Sequence, residues 1–213
     1  LRVFFRLSRP FLFFLPLRPH FLYFKPAYGY TQTINNGGKI MNDILITTDR
    51  LKIWDHVHKH LNDVYALLSD GEATAALPQF RASEVKEALD YLMGAMNQRF
   101  ADERTSYRLC VQSKGDLFYL GEIMADIIDG SAGREAQMNI VLRREYRNMG
   151  YGTEAVKALT GYLFAEGGIT SILAVCQLSN AAAARMLVKC GFEKENGPVG
   201  ENYAAYRLVP PKQ

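Results

Sequence analysis

The sequence is poor in the side chains that build cross-links and metal centres, with three cysteines and four histidines in 213 residues. Cys110, Cys176 and Cys190 make an odd count, and none stands in CxxC or Cys/His metal spacing, which excludes a disulfide framework and a zinc site and points to a reducing cytoplasm. Cys176 and Cys190 fall in apolar segments and read as buried, inert thiols. His56, His58 and His60 alternate with Val57 and Lys59, but no further ligands accompany them, so they read as solvated loop histidines. Acidic residues are missing from the first forty positions, which carry six Lys/Arg; from Met41 onward 19 basic residues face 22 acidic ones. The net charge of +3 is therefore set by the N-terminal stretch, and no basic stripe of the kind nucleic acid requires is left in the remainder. Long apolar runs are also lacking. Arg6, Arg9, Arg18 and Lys25, with Pro10, Pro16 and Pro19, interrupt the N-terminal stretch, which excludes a membrane-spanning helix and fits a signal peptide poorly.

What is present suits one folded domain: 48% apolar and 22% charged residues are ordinary for a chain that buries a full core. Residues 1–40 stand apart from it. Leu1 to Tyr30 hold seven of the twelve phenylalanines and four of the eight prolines, and Gly37-Gly38-Lys39-Ile40-Met41 can be encoded with a ribosome-binding sequence just before an ATG. Two readings of 1–40 follow: a membrane- or partner-binding arm, or sequence upstream of the native start. The second is the expectation, with residues 41–213 as the domain.

From Ile44 to Trp54 apolar and polar residues alternate with β-branched enrichment, which predicts the first strand, and Trp54 reads as a core residue. Leu61, Val64, Tyr65 and Leu68 predict a short helix. Val85, Ala88, Leu89, Leu92, Met93 and Met96 recur at helical spacing after Ser83, the expected N-cap. Two strands follow, Ser106 to Gln112 and Phe118 to Ile128, joined through Gly115-Asp116. Glu122 lies in the second of these and faces either solvent or a reacting amine. A turn at Gly130 to Gly133 leads to a strand from Glu135 to Leu142.

Next comes Arg147-Asn148-Met149-Gly150-Tyr151-Gly152, set between that strand and an amphipathic run, Thr153 to Phe164. Two glycines let the backbone approach a ligand closely, and the first N–H groups of the following helix lack intrahelical acceptors. Strand, glycine turn and helix in this order bind phosphate, and Arg147 can add a charge-assisted bond. No Lys-Ser/Thr follows the glycines and no Gly-x-Gly-x-x-Gly is present, which argues against a nucleotide-binding module.

The run Arg147-x-x-Gly150-x-Gly152-Thr153-Glu154-Ala155, followed by Asn180 to Gly191-Phe192, resembles the acetyl-CoA-binding core of the GNAT acetyltransferases. Within them it is most similar to the ribosomal-protein N-terminal alanine and polyamine acetyltransferases. The resemblance implies an α/β (α+β) fold with a mixed, mainly antiparallel sheet splayed at its centre and helices on both faces. It implies a cytoplasmic N-acetyltransferase moving an acetyl group from acetyl-CoA to a primary amine, such as a protein or peptide N-terminus or a polyamine, with no nucleic-acid or membrane partner and with room for a homodimer. Ile140, Val141 and Leu142 would hold the pantetheine arm, Arg147 to Gly152 the diphosphate, and Asn180 the cofactor near the next helix. The loop from Ser69 to Ala82 would border the acceptor. Where many members carry an acid tyrosine this chain has Leu187, and where its nearest branch carries a base glutamate it has Val175. Glu122 and Glu135 are then the candidate bases, with Gln137 positioning water and Tyr203 or Tyr206 able to replace the acid. A non-catalytic acyl-CoA-binding regulator is the alternative.

Overall fold

The structure is a computed structural model that describes residues 33–34, 40–41, 43–130, 133–197 and 199–210. The expectation that 1–40 is an extension falls largely outside these residues; within them, β1 (Thr33–Ile34) pairs antiparallel with β2 (Ile40–Met41).

Eight strands form the main sheet: β3 (Leu45–Thr47), β4 (Leu51–Asp55), β5 (Ser106–Ser113), β6 (Tyr119–Gly130), β7 (Gly133–Leu142), β8 (Ser171–Gln177), β9 (Glu193–Lys194) and β10 (Tyr203–Leu208). Their spatial order is β3-β4-β5-β6-β7-β8-β10-β9, antiparallel throughout except for the parallel β7–β8 pair. The single predicted strand from Ile44 to Trp54 is in fact a hairpin. Its alternation runs through Thr48-Asp49-Arg50, where the Thr48 N–H donates to Leu51 O at 3.0 Å and turns the chain. A buried ion pair secures it: Arg104 donates to both carboxylate oxygens of Asp55 at 2.6 and 3.1 Å, and the Ile44 N–H donates to Asp55 at 2.7 Å.

Helices cover both faces. On one, α1 (Leu61–Leu68) and α2 (Val85–Asn97) bury Val64, Leu67, Leu68, Ala88 and Leu92 against Cys110, Met124 and Val141. The cap of α2 is Glu84 rather than Ser83: the Glu87 carboxylate turns back to accept from the N–H groups of Ser83 (2.6 Å) and Glu84 (3.4 Å). On the other face, α3 (Tyr151–Glu166) lays Ala155, Val156, Leu159 and Leu163 onto Ile46, Ile53, Leu109 and Ile123, with α4 (Ala181–Lys189) beside it. Gly167 and Gly168 end α3, the latter in the left-handed region at φ +61°. Gly152 lets α3 and α4 approach, since a Cβ there would stand 2.9 Å from the Met186 sulfur. Among the described residues no helix is long and apolar enough to cross a membrane, and no His/Cys/Asp/Glu group is arranged for a metal.

Candidate functional site

The parallel β7–β8 pairing runs only from Glu135↔Ser171 to Met138↔Ala174. Beyond it, β7 continues against β6 as far as Leu142↔Gly121, while β8 continues against β10 as far as Gln177↔Tyr203. The strands part, so among the described residues the β8-side edge of Asn139 to Leu142 has no strand partner. Such an edge can receive an extended ligand with amide groups. Val141 points into the α1/α2 cluster, whereas Ile140 and Leu142 lie against the α3 core.

The chain then makes a short 3-10 turn at Arg144–Tyr146 and enters the glycine turn, with Asn148 at φ 62° and Gly150 at φ 82°. The N–H groups of Tyr151, Gly152 and Thr153 open α3 without intrahelical acceptors, at the positive end of a 16-residue helix. Three arginines surround this point. Arg147 donates to Leu142 O at 2.9 Å and reaches Glu72 at 3.3 Å, and Arg144 reaches the other oxygen of Glu72 at 3.0 Å. Arg50, from the β3–β4 turn, donates to Met149 O at 3.0 Å and to Glu154 at 2.7 Å and stacks over the Tyr151 ring at 4.6 Å. Burial works against the Glu154 carboxylate, but hydrogen bonds from Thr48 and Arg50 outweigh it and hold its pKa low. The arrangement fits a diphosphate: positive charge, outward N–H groups and a backbone without Cβ at Gly150. At the next helix Asn180 accepts from the Ala183 N–H at 3.0 Å, an N-cap that follows the end of β8 by three residues.

One strand away from Val141, in direct register, stands Glu122. It is 0% exposed, so neither an edge nor a solvent-facing position describes it. Tyr119 donates to Oε1 and Tyr91, from α2, donates to Oε2, each at 2.5 Å; His56 Nε2 lies 3.3 Å from Oε1. Burial pushes this carboxyl's pKa up, but the charge of His56 and the three polar contacts override that and hold it low. The same contacts raise both tyrosines well above their ordinary range, burial first and the Glu122 charge second. Tyr119 and Glu122 share a face because of a bulge. Val111 pairs with Gly121 and Gln112 with Tyr119, leaving Leu120 as the extra residue, which points into the opposite core.

His56 and His60 are corrections to the sequence reading, since both are buried, at 0% and 1% exposure; only His58 is on the surface. They lie at the start of α1, with His60 set edge-on against Trp54 at 5.1 Å. Trp54 does pack, and its indole donates to Gln112 at 2.8 Å. The Cys110, Cys176 and Cys190 thiols are all pushed up by burial, Cys190 to about 11.

Glu135 is not brought to this place. It pairs with Ser171 in the closed part of β7–β8, six residues before Val141, about 20 Å along the strand. There it is ion-paired with Arg207 at 3.1 Å, and that bond holds its carboxyl low. Gln137 likewise sits in the paired stretch, opposite Leu173. Leu187 and Tyr206 are core residues, whereas Tyr203, opposite Gln177, is 42% exposed. The contribution of Tyr91, Tyr119 and His56 had no signal at sequence level beyond polarity inside apolar segments.

A family model described as Acetyltransferase (GNAT) domain matches residues 50–193. An uncharacterised N-acetyltransferase of Bacillus subtilis, YnaD, is 27% identical over 152 residues, 70% of this chain and 83% of that protein. Among solved structures, a spermidine N-acetyltransferase from Vibrio cholerae in complex with CoA and spermine aligns with TM-score 0.66 at 14% identity, covering 76% of this chain and 96% of that one. A ribosomal L7/L12 α-N-protein acetyltransferase in complex with CoA aligns with TM-score 0.65 at 15% identity, covering 78% and 98%. At such identities the structural likeness carries the fold alone. With parted strands, an open β7 edge and a left-handed glycine turn all in place, the family match over 50–193 completes the case: the chain belongs to the GNAT acetyltransferases.

Proposed function

We propose that this protein transfers the acetyl group of acetyl-CoA to a primary amine, at a protein or peptide N-terminus or on a small amine such as a polyamine. Acetyl-CoA supplies an activated thioester. Ile140, Val141 and Leu142 offer the backbone edge for its amide-bearing arm; Arg147, Asn148, Met149, Gly150, Tyr151 and Gly152 cradle its diphosphate; and Asn180 borders it. The relatives' names support this reading from two sides, since one acts on spermidine and another on a ribosomal protein's N-terminus.

The observation that carries the chemistry is Glu122 in register with Val141. The acceptor attacks as the neutral amine and loses one proton as its nitrogen bonds to the acetyl carbon; that proton passes by way of the carboxylate to the departing sulfur, which leaves as thiol. That nitrogen becomes strongly acidic only as its lone pair is committed, so a carboxylate of low pKa suffices as the acceptor of the proton. Tyr91, half-buried on α2, hydrogen-bonds Oε2 and is the group through which the carboxylate meets the α1/α2 side of the site. Leu187 and Val175 offer no proton chemistry, which leaves the handling of protons to this cluster.

The test is thiol release from acetyl-CoA by the full-length protein with ribosomal-type N-terminal peptides, polyamines and aminoglycosides. Release with one class names the acceptor, and Glu122→Gln should lower kcat at least a hundredfold while acetyl-CoA binding persists. Tight binding without release across the panel would instead favour a non-catalytic acyl-CoA-binding regulator.

A further inference from the structure

Two buried histidines beside a buried carboxylate are unexplained by cofactor binding. His56 stands between two acceptors: its Nε2 is 3.3 Å from Glu122 Oε1, and its Nδ1 is 3.4 Å from His60 Nδ1. His60 Nδ1 accepts from the Val57 N–H at 3.4 Å, and burial followed by the His56 charge lowers the His60 pKa to about 4, so this ring is neutral with its hydrogen on Nε2. Its one Nδ1 lone pair is then shared between the Val57 N–H and the His56 ring. A hydrogen on His56 Nδ1 is needed to make that contact attractive. On the opposite side of the ring Nε2 lies 3.3 Å from Oε1, within ion-pair distance but without hydrogen-bond geometry; a bare Nε2 there would set a second lone pair against the Glu122 carboxylate, so a proton on Nε2 is what makes the approach favourable.

We propose that His56 is a positioning residue for Glu122: protonated at Nε2 it is an ion-pair partner of the carboxylate, and it fixes both the carboxylate's orientation and the pH at which it serves the amine. The proposal rests on Glu122 being the proton acceptor of the transfer. The titratable and charged groups around it are Tyr119 from β6 itself, with Arg143 over its ring at 5.3 Å, Tyr91 from α2, Cys110 from β5, and His56 and His60 from the segment before α1, with Lys59 and Asp63 beside His60 and Arg108 and Asp126 beyond Tyr91. Among the described residues His56 is the base in ion-pair contact with the carboxylate, and a proton on it sets an opposite charge there inside the protein, where such a charge shifts a titration by about one to three pH units.

The experiment titrates Glu122 directly, by the ¹³C signal of its carboxyl (identified by its loss in Glu122→Gln), in the full-length protein and in His56→Gln, and records kcat/KM against pH for both. His56→Gln keeps a side chain of similar reach without the charge. The expected result is that the carboxyl midpoint and the acid limb of the rate profile rise together by at least one pH unit. An unmoved carboxyl midpoint overturns the proposal, because a purely structural histidine would lower activity without shifting it. A carboxyl that moves while the rate limb stays supports the ion pair and instead removes Glu122 from catalysis. Should His56→Gln not fold, ¹⁵N-histidine spectra of the unmodified protein decide: a protonated His56 Nε2 at pH 7 supports the pair, and a bare Nε2 overturns it.

Discussion

Tyr119 and Glu122 lie three residues apart on one strand and yet face the same side of the sheet, with the phenol donating to the carboxylate at 2.5 Å. Regular alternation would put them on opposite faces. The bulge at Leu120-Gly121 supplies the extra half-step, and it needs glycine: a Cβ at position 121 would stand 2.1 Å from Val141 O and 2.8 Å from Leu142 Cα. Neither is a flexible side chain that can move aside.

Gly121→Ala should therefore cost more than about 4 kcal/mol, beyond the range of ordinary substitutions. Chemical unfolding measures it. A variant that folds with normal stability would show that the bulge can be rebuilt without glycine.

Arg50 gathers Met149 O, Glu154 and the Tyr151 ring at the glycine turn. It is 47% exposed, so solvent discounts each contact, and Arg50→Ala should weaken acetyl-CoA binding by about 1 kcal/mol, roughly fivefold in Kd. Calorimetric titration reads this directly. Lysine should recover only part of the loss, because a point charge cannot hold two acceptors and cover a ring together.

Glu72 holds Arg144 and Arg147 where a diphosphate would compete for them. Glu72→Gln should tighten CoA binding a few-fold and Arg147→Ala should weaken it about tenfold, with both effects shrinking as salt rises. Equal affinities for all three proteins would place the phosphates elsewhere.

His60 gives stability a pH dependence. Its folded pKa of about 4 lies below the unfolded value near 6.5, so its contribution is complete above pH 6.5 and declines as the pH falls toward 4, where the unfolded chain binds the proton more readily. Between pH 7.5 and pH 5 this amounts to about 2 kcal/mol. His60→Phe, which keeps an aromatic ring against Trp54, should flatten that part of the profile in urea titrations at the two pH values. An unchanged slope would mean that His60 is protonated in the fold.

The elements that the sequence made legible are those whose period survives in the fold. The helices from Leu61 and Val85, the strand ending at Leu142 and the cap at Asn180 each carry their signal locally. The hairpin at Thr48-Asp49-Arg50 was hidden because apolar alternation continues across a turn that lacks glycine and proline. His56 and His60 were misread because what buries them, Trp54, Tyr91 and Tyr119, comes from three separate stretches, and no window along the chain joins them. The two glutamates looked alike for the same reason. Only the register shows Glu122 across from Val141 and Glu135 across from Ser171, at opposite ends of β7.

The parting of β7 and β8 has a mechanical side. Both strands are clamped where Ala136 meets Ile172 and Met138 meets Ala174, small or buried side chains deep in the core, and are free of one another beyond that point. The way the two strands leave each other is thus set by a short paired stretch that includes Ala136, Met138, Ile172 and Ala174, none of which lies on the open edge at 139–142.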